Sequence, residues 1–240
     1  MKHLARIINY CLSLFGIRIT RNTTLKYRIE RGDYKWFQER NIATVLDIGA
    51  NIGQFAEMIH QILPIATIHS FEPLPEQFIV LQKLTKKIQL LRCYQFAVGS
   101  ENTEMEINAN EFSASSSLLP MTELHTSSFP FTKNSAVQKV QVRTLESLMP
   151  EIKLQKNILF KIDVQGFELE VLKGAVRLLE EVNIIIVETT FREFYQGQPL
   201  FDDIYKFLTK KMFFYHGNFD QINSTINGAV LYSDAIFFKN

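Results

Sequence analysis

Short continuous apolar runs alternate with segments whose apolar residues recur at helical spacing, and the alternation continues almost to the end of the chain. Short apolar runs bounded by turn signals read as strands buried on both faces, whereas i, i+3, i+4 spacing reads as amphipathic helix. Strands are therefore predicted over 44–48, 66–71, 89–98, 157–162 and 183–187, and helices over 54–63, 75–87, 168–181 and 200–210. Residues 101–145 break the rhythm. Two alternating stretches, 104–109 and 137–144, flank a serine- and threonine-rich segment over 111–135. They predict an antiparallel excursion with a long loop, and long loops inside compact domains are usually functional or mobile. Two last strands, 212–215 and 229–238, are joined by a turn-rich stretch and predict an antiparallel hairpin at the sheet edge. The fold class is α/β: a mostly parallel sheet covered on both faces, with a C-terminal antiparallel hairpin.

The first residues have a different pattern. Leu4, Ile7, Ile8, Cys11, Leu12 and Phe15 share one helical face, so an N-terminal helical segment, 1–35, is expected before a domain over 36–240. Arg6, Asn9 and Arg18 interrupt the stretch, which is too short and too polar to span a bilayer. Packing on the domain as a lid is the first reading, because single apolar faces usually pack on protein. A peripheral membrane contact, with Lys2, Arg6, Arg18 and Arg21 at the headgroups, is the second.

Composition narrows the function classes. The chain has 240 residues, 46% of them hydrophobic, and a net charge of +1 without a basic block. That is enough for one large core, and it disfavours binding nucleic acid through a broad phosphate contact. Cys11 and Cys93 stand far apart in apolar surroundings, which points to free thiols, a reducing compartment and a cytoplasmic location. Neither has metal-ligand spacing, and no metal is expected.

The chemistry is expected at the strand ends, which are occupied by Asp47, Glu72, Val98, Asp163 and Glu188. In open α/β sheets, ligands bind beyond the carboxyl ends of the strands. Carboxylates there need partners, because a buried unpaired charge is costly. The run Val45-Leu46-Asp47-Ile48-Gly49-Ala50-Asn51-Ile52-Gly53 reads as a buried strand, a glycine turn and a helix start. A dinucleotide fingerprint needs G-x-G-x-x-G, with its middle glycine against the pyrophosphate. Here the spacing is Gly49-x-x-x-Gly53, and Asp47 would oppose a pyrophosphate. S-adenosylmethionine has no phosphate and carries a sulfonium, which suits a carboxylate-lined entry. Glu72, at the end of the second strand, stands where an acid accepts ribose hydroxyls in related nucleotide folds.

The segments Asp47–Gly53, Phe71-Glu72-Pro73, Phe96–Gly99, Arg143-Thr144-Leu145, Lys161–Glu168 and Val171–Ala175 stand in the order seen in FkbM-type methyltransferases, and the chain resembles that family over about residues 40 to 215. The resemblance implies a class I, Rossmann-like fold. It also implies transfer of a methyl group to hydroxyl oxygens, often on sugars, glycolipids or secondary metabolites. One departure is Gln165, where the family frequently has glutamate, and this puts a carboxylate role at that position in doubt.

The reading that results is an S-adenosylmethionine-dependent O-methyltransferase with a small-molecule or glycan acceptor. Asp47, Gly49, Asn51 and Gly53 would shape the cofactor turn, Glu72 would hold the ribose, and Ala97 and Val98 would flank the adenine. Asp163 is the first catalytic candidate, as base or as a group orienting the acceptor. Glu188 and His216 are further catalytic candidates, with His125 weaker. Glu168 reads as a first-turn acid of structural role. Ser115-Ser116-Ser117 are candidates to bind a polar acceptor or to close over the cofactor, and the aromatic set Phe191, Phe194 and Tyr195 is a candidate acceptor wall. A non-catalytic scaffold with this fold remains an alternative, and a dinucleotide oxidoreductase a more distant one.

Overall fold

The computed structural model describes residue 25, residues 28–30, residues 32–224 and residues 227–239. The amphipathic face from Leu4 to Phe15, its neighbouring basic residues and Cys11 lie outside the described residues. The chain divides into two compact units, Met1–Arg40 and Asn41–Asn240. Within the first, helix α1 (Lys35–Glu39) stacks the Trp36 ring on Phe37 at 3.7 Å, and Arg28 pairs with Asp33 at 3.3 Å.

The second unit begins with strand β1 (Thr44–Ile48), helix α2 (Gln54–Ile62), strand β2 (Thr67–Phe71), helix α3 (Pro75–Lys83) and strand β3 (Leu91–Tyr94). Strands β4 (Ala97–Val98), β5 (Thr103–Asn110) and β6 (Ser135–Arg143) follow, with helix α4 (Glu123–Ser128) between the last two. Helix α5 (Leu145–Leu148), strand β7 (Ile158–Ile162), helix α6 (Glu168–Lys173) and strand β8 (Val182–Thr190) restore the parallel rhythm. Helix α7 (Phe201–Lys210), strand β9 (Phe213–Asn223) and strand β10 (Val230–Lys239) complete the order.

Seven strands form the main sheet in the order β3-β2-β1-β7-β8-β10-β9, and β4-β6-β5 form a second sheet. Pairing is parallel from β3 through β8, while β10 runs antiparallel to both β8 and β9. Every residue of β1 and β7 is buried, as their continuous apolar character requires. The chain moves outward from β1 to β3 and then returns to the far side of β1 with β7. The carboxyl ends of β1 and β7 therefore border the switch-point crevice, where ligands bind in open α/β sheets.

Three sequence expectations change in detail. The apolar run over 89–98 is two strands: Leu91–Tyr94 continues the main sheet, and Ala97–Val98 pairs with β6 in the second. An apolar run reports burial and does not report which partner each half finds. The helix expected over 168–181 stops at Lys173, and a 3-10 turn, Leu178–Glu180, follows. The terminal hairpin is antiparallel as expected, but its second strand inserts between β8 and β9, and β9 takes the edge.

Gly174 caps the end of α6 at a close backbone approach. A Cβ there would lie 1.9 Å from the Gly99 carbonyl oxygen, so only glycine lets the segment after β4 pass so close. Replacing it by alanine should force two backbones apart. We expect Gly174→Ala to lose about 1–3 kcal/mol of stability, the usual cost of overpacking, as measured by urea denaturation. Unchanged stability would mean that this approach is not a constraint on the fold.

Candidate active site

The crevice begins at the turn after β1. Gly49 has φ +79°, and a Cβ on it would fall 1.8 Å from the backbone oxygen of Asp163. Glycine is thus required both by backbone conformation and by contact with the end of β7. Asn51 also adopts a left-handed φ of 50°, which asparagine tolerates better than most residues. Its N–H donates to Glu72 Oε2 at 2.8 Å, and the Leu74 N–H donates to Glu72 Oε1 at 2.9 Å. Glu72 is therefore oriented by two backbone donors. Burial pushes its carboxyl up to about 7, although these two bonds pull the other way.

These groups line a cavity of about 370 Å³. Gly49, Asn51, Glu72, Asp163 and Gln165 are among its lining residues. Phe71, Leu74, Phe96, Ala97, Val98 and Ile107 make an apolar slot beside Glu72. The excursion between β5 and β6 closes the cavity through Ser113, Ala114, Ser116, Ser117 and Leu118. Ser113 Oγ donates to Asn51 Oδ1 at 3.0 Å, so the excursion touches the glycine turn directly.

Asp47 and Gly53 lie behind this surface and do not line the cavity. Asp47 is fully buried on β1, in register with Ser70 on β2 and Lys161 on β7. Ser70 Oγ donates to Asp47 Oδ2 at 3.0 Å, and Lys161 Nζ stands 3.7 Å from Oδ1, which has no hydrogen-bond partner. Burial raises the Asp47 carboxyl above its ordinary range, against the pull of Lys161 and Ser70. Lys161 Nζ also donates to Asp163 Oδ2 at 3.2 Å. Burial alone would lower Lys161, but Asp163, Asp47 and Asp234 reverse this and hold it above its usual value. Gly53, at φ +93°, starts α2 and packs on Leu81 and Leu84.

A second cavity of about 400 Å³ adjoins the first and shares Asp163, Gln165, Ala114, Asp220 and Asp234 with it. Glu188 lines it, and Asp234 and Asp220 carry the acid row onward in register across β10 and β9. Gln165 stands at the junction. Its Nε2 donates to Asp163 Oδ1 at 2.9 Å and to Glu188 Oε2 at 2.7 Å, while its Oε1 accepts from the Tyr195 hydroxyl at 2.8 Å. Burial and the facing acids Asp163, Glu168 and Asp234 push Glu188 well above the usual carboxylate range. Burial, with Asp163, pushes Asp234 up to about 7.

The sequence-selected residues divide by position. Gly49, Asn51, Glu72, Ala97 and Val98 line the first cavity, Glu188 the second, and Asp163 both. His216 lines neither: it is exposed on β9 with its ring 4.3 Å from that of Phe238. Phe194 and Tyr195 line the second cavity, while Phe191 stacks on Phe201 at 5.4 Å. His125 is buried in the second cavity wall and meets Thr132 Oγ1 at 3.1 Å. Ser117 Oγ donates to the Gln165 carbonyl at 2.6 Å, and the Ser115 carbonyl accepts from the Tyr195 hydroxyl at 3.2 Å. Sequence reasoning missed Lys161, Asp220, Tyr232 and Asp234. Lys161 carried a signal, a lone cation inside a buried apolar strand; the others are unremarkable until β9 and β10 are paired.

The family model for the FkbM methyltransferase domain matches residues 47–215. The chain belongs to the FkbM methyltransferase family. It is 26% identical over 167 residues to the 2-O-methyltransferase NoeI of Sinorhizobium fredii, covering 67% of this chain and 68% of that one. Methyltransferase 1 of Beauveria bassiana is 25% identical over 142 residues, covering 54% of this chain and 57% of the relative. A structure of the bifunctional kinase-methyltransferase WbdD superposes with a TM-score of 0.50 at 14% identity. It covers 92% of this chain and 40% of that one, so the likeness is one of fold. This FkbM protein is thus a methyltransferase with the class I methyltransferase fold, and among its described residues no helix is long and apolar enough to cross a membrane.

Glu168 supports this site from beneath. It is buried, and its Oε1 accepts from the Val164 N–H at 3.1 Å and the Gly166 N–H at 3.0 Å. Burial pushes its carboxyl from 4.5 up to about 7 despite those bonds. Between these values the folded protein binds more protons than the unfolded chain, so this group's contribution to stability is full below about 4.5 and is lost as pH rises through 7. Gln at this position keeps the accepting oxygen and removes the titration. Stability of Glu168→Gln should therefore fall less than wild type between pH 4.5 and 7.5, by about 3 kcal/mol at most, as followed by denaturant titration across that range. Parallel pH curves for the two proteins would remove the linkage.

Proposed function

We propose that this methyltransferase uses S-adenosylmethionine and methylates a hydroxyl of a carbohydrate or similar acceptor. The observation that carries the reading is the pair of adjoining cavities with Asp163 at their junction. The donor set of the first suits the cofactor. Glu72 offers two preoriented carboxylate oxygens to a diol, and the slot beside it, between Leu74, Phe96 and Val98, is apolar enough for a purine. A dinucleotide fits less well, because among the described residues Lys161 is the one lysine or arginine lining this cavity and it is already held by Asp47 and Asp163.

When bound, S-adenosylmethionine supplies an electrophilic methyl group on a sulfonium. The protein's tasks are then to align an acceptor oxygen with that carbon and to receive its proton. Asp163 faces both cavities and is oriented by Lys161 and Gln165. It would accept the hydroxyl proton as the acceptor oxygen takes the methyl group and the carbon–sulfur bond of the sulfonium breaks to leave a neutral thioether. Glu188, held well above the ordinary carboxylate range, is less suited to that step and serves as a hydrogen-bonding group for the acceptor. The 2-O-methyltransferase named among the relatives supports an oxygen acceptor.

Calorimetry with S-adenosylmethionine tests this reading. Wild type should bind it, and Glu72→Ala should bind it more weakly by about 1–3 kcal/mol, the cost of lost hydrogen bonds. Thermal melting confirms that the variant is folded. No binding by wild type, or unchanged affinity in a folded variant, would sink the ribose assignment.

A further inference from the structure

The second cavity has a composition that the methyl donor does not explain. Part of its lining is aromatic: Phe112, Phe129 and Phe131 from the excursion, with Phe194 and Tyr195, and the Phe129 ring lies 6.1 Å from that of Phe194. Phe112 and Phe131 meet edge to face with centroids 5.1 Å apart, yet they remain 49% and 60% exposed. Rings left this open beside a cavity offer apolar faces to a ligand. The same lining holds the polar groups Asp163, Gln165, Glu188, Thr190, Tyr232 and Asp234, and the Tyr195 hydroxyl donates to Gln165 Oε1 at 2.8 Å. Among the described residues, no lysine or arginine lines this cavity. Lys161 opens only onto the neighbouring cavity and is engaged by two carboxylates.

We infer that this cavity is the acceptor site and that it selects an uncharged glycosyl ring, excluding phosphorylated sugars and uronic acids. The inference rests on the methyltransferase reading given above and adds the charge and shape of the acceptor. An anionic substituent would enter a site whose described lining holds acidic side chains and no lysine or arginine, and burial of an unpaired charge is strongly unfavourable. A sugar ring has one face of C–H groups for the aromatic rings and several hydroxyls for the polar groups. A flat phenol would cover the rings but leave most of the polar groups unpaired, which costs affinity. The excursion that carries Phe112 and Phe131 also carries Ser113, bonded to Asn51 at the first cavity, so one segment forms the roof of both.

The test measures transfer of radiolabelled methyl from S-adenosylmethionine to matched acceptors. These are methyl glycosides of neutral hexoses and deoxyhexoses, the corresponding 6-phosphates and uronates, and catechol. Neutral glycosides should be methylated, with kcat/KM for their anionic twins lower by about tenfold or more. Phe131→Ala should raise KM for the neutral glycoside several-fold while leaving the calorimetric affinity for S-adenosylmethionine unchanged. Equal or better use of an anionic twin, preference for catechol, or an unchanged KM in Phe131→Ala overturns the inference. So does failure of every glycoside to accept label from a protein that binds S-adenosylmethionine. Absence of that binding would instead overturn the cofactor reading on which the inference rests.

Discussion

A buried ammonium organises the switch-point crevice. Lys161 sits in the middle of the sheet, in register with Asp47 on the neighbouring strand and two residues before Asp163. A charge in that position is tolerable only if it is paired. It reaches one carboxylate on β1 and one that lines both cavities, and so ties the end of β1 to the end of β7. Gly49 brings the same two ends together from the backbone side, where any side chain would collide with the Asp163 carbonyl. The position of Asp163 is therefore fixed twice, by charge and by sterics, before any ligand arrives.

The rest of the site grows outward from that fixed point. Gln165 relays it to Glu188 and Tyr195, through an amide that donates to both acids and accepts from the phenol. A glutamate here would place a third carboxylate between two others. The glutamine satisfies the same neighbours by hydrogen bonding without adding repulsion. The departure from the family pattern thus falls at the junction of the two cavities.

Glu72 stood out from its place at a strand end, and the glycine turn from its spacing, which the positive φ at Gly49 matches, although the contact of Gly49 with the Asp163 carbonyl is a tertiary one. The parallel sheet was legible from its continuous apolar runs, since burial on both faces leaves no polar alternation. Asp47 was recognised as important, but its place beneath the cavity was not, because register with Ser70 and Lys161 decides which way it serves. His216 looked suitable by residue type and by nearness to a strand end. Its strand takes the sheet edge once β10 inserts beside β8, and the ring stacks on Phe238 away from both cavities.

The chain's periodicity and motifs by themselves determined the fold class, the turn after β1 and the acids at the strand ends. These depend on neighbours within one βα unit, so a linear reading suffices. Tertiary structure alone decided that the acids of β8, β10 and β9 form one row, and that the excursion over 111–135 roofs two cavities. Those arrangements join residues far apart in sequence, through strand pairing whose order no local pattern encodes.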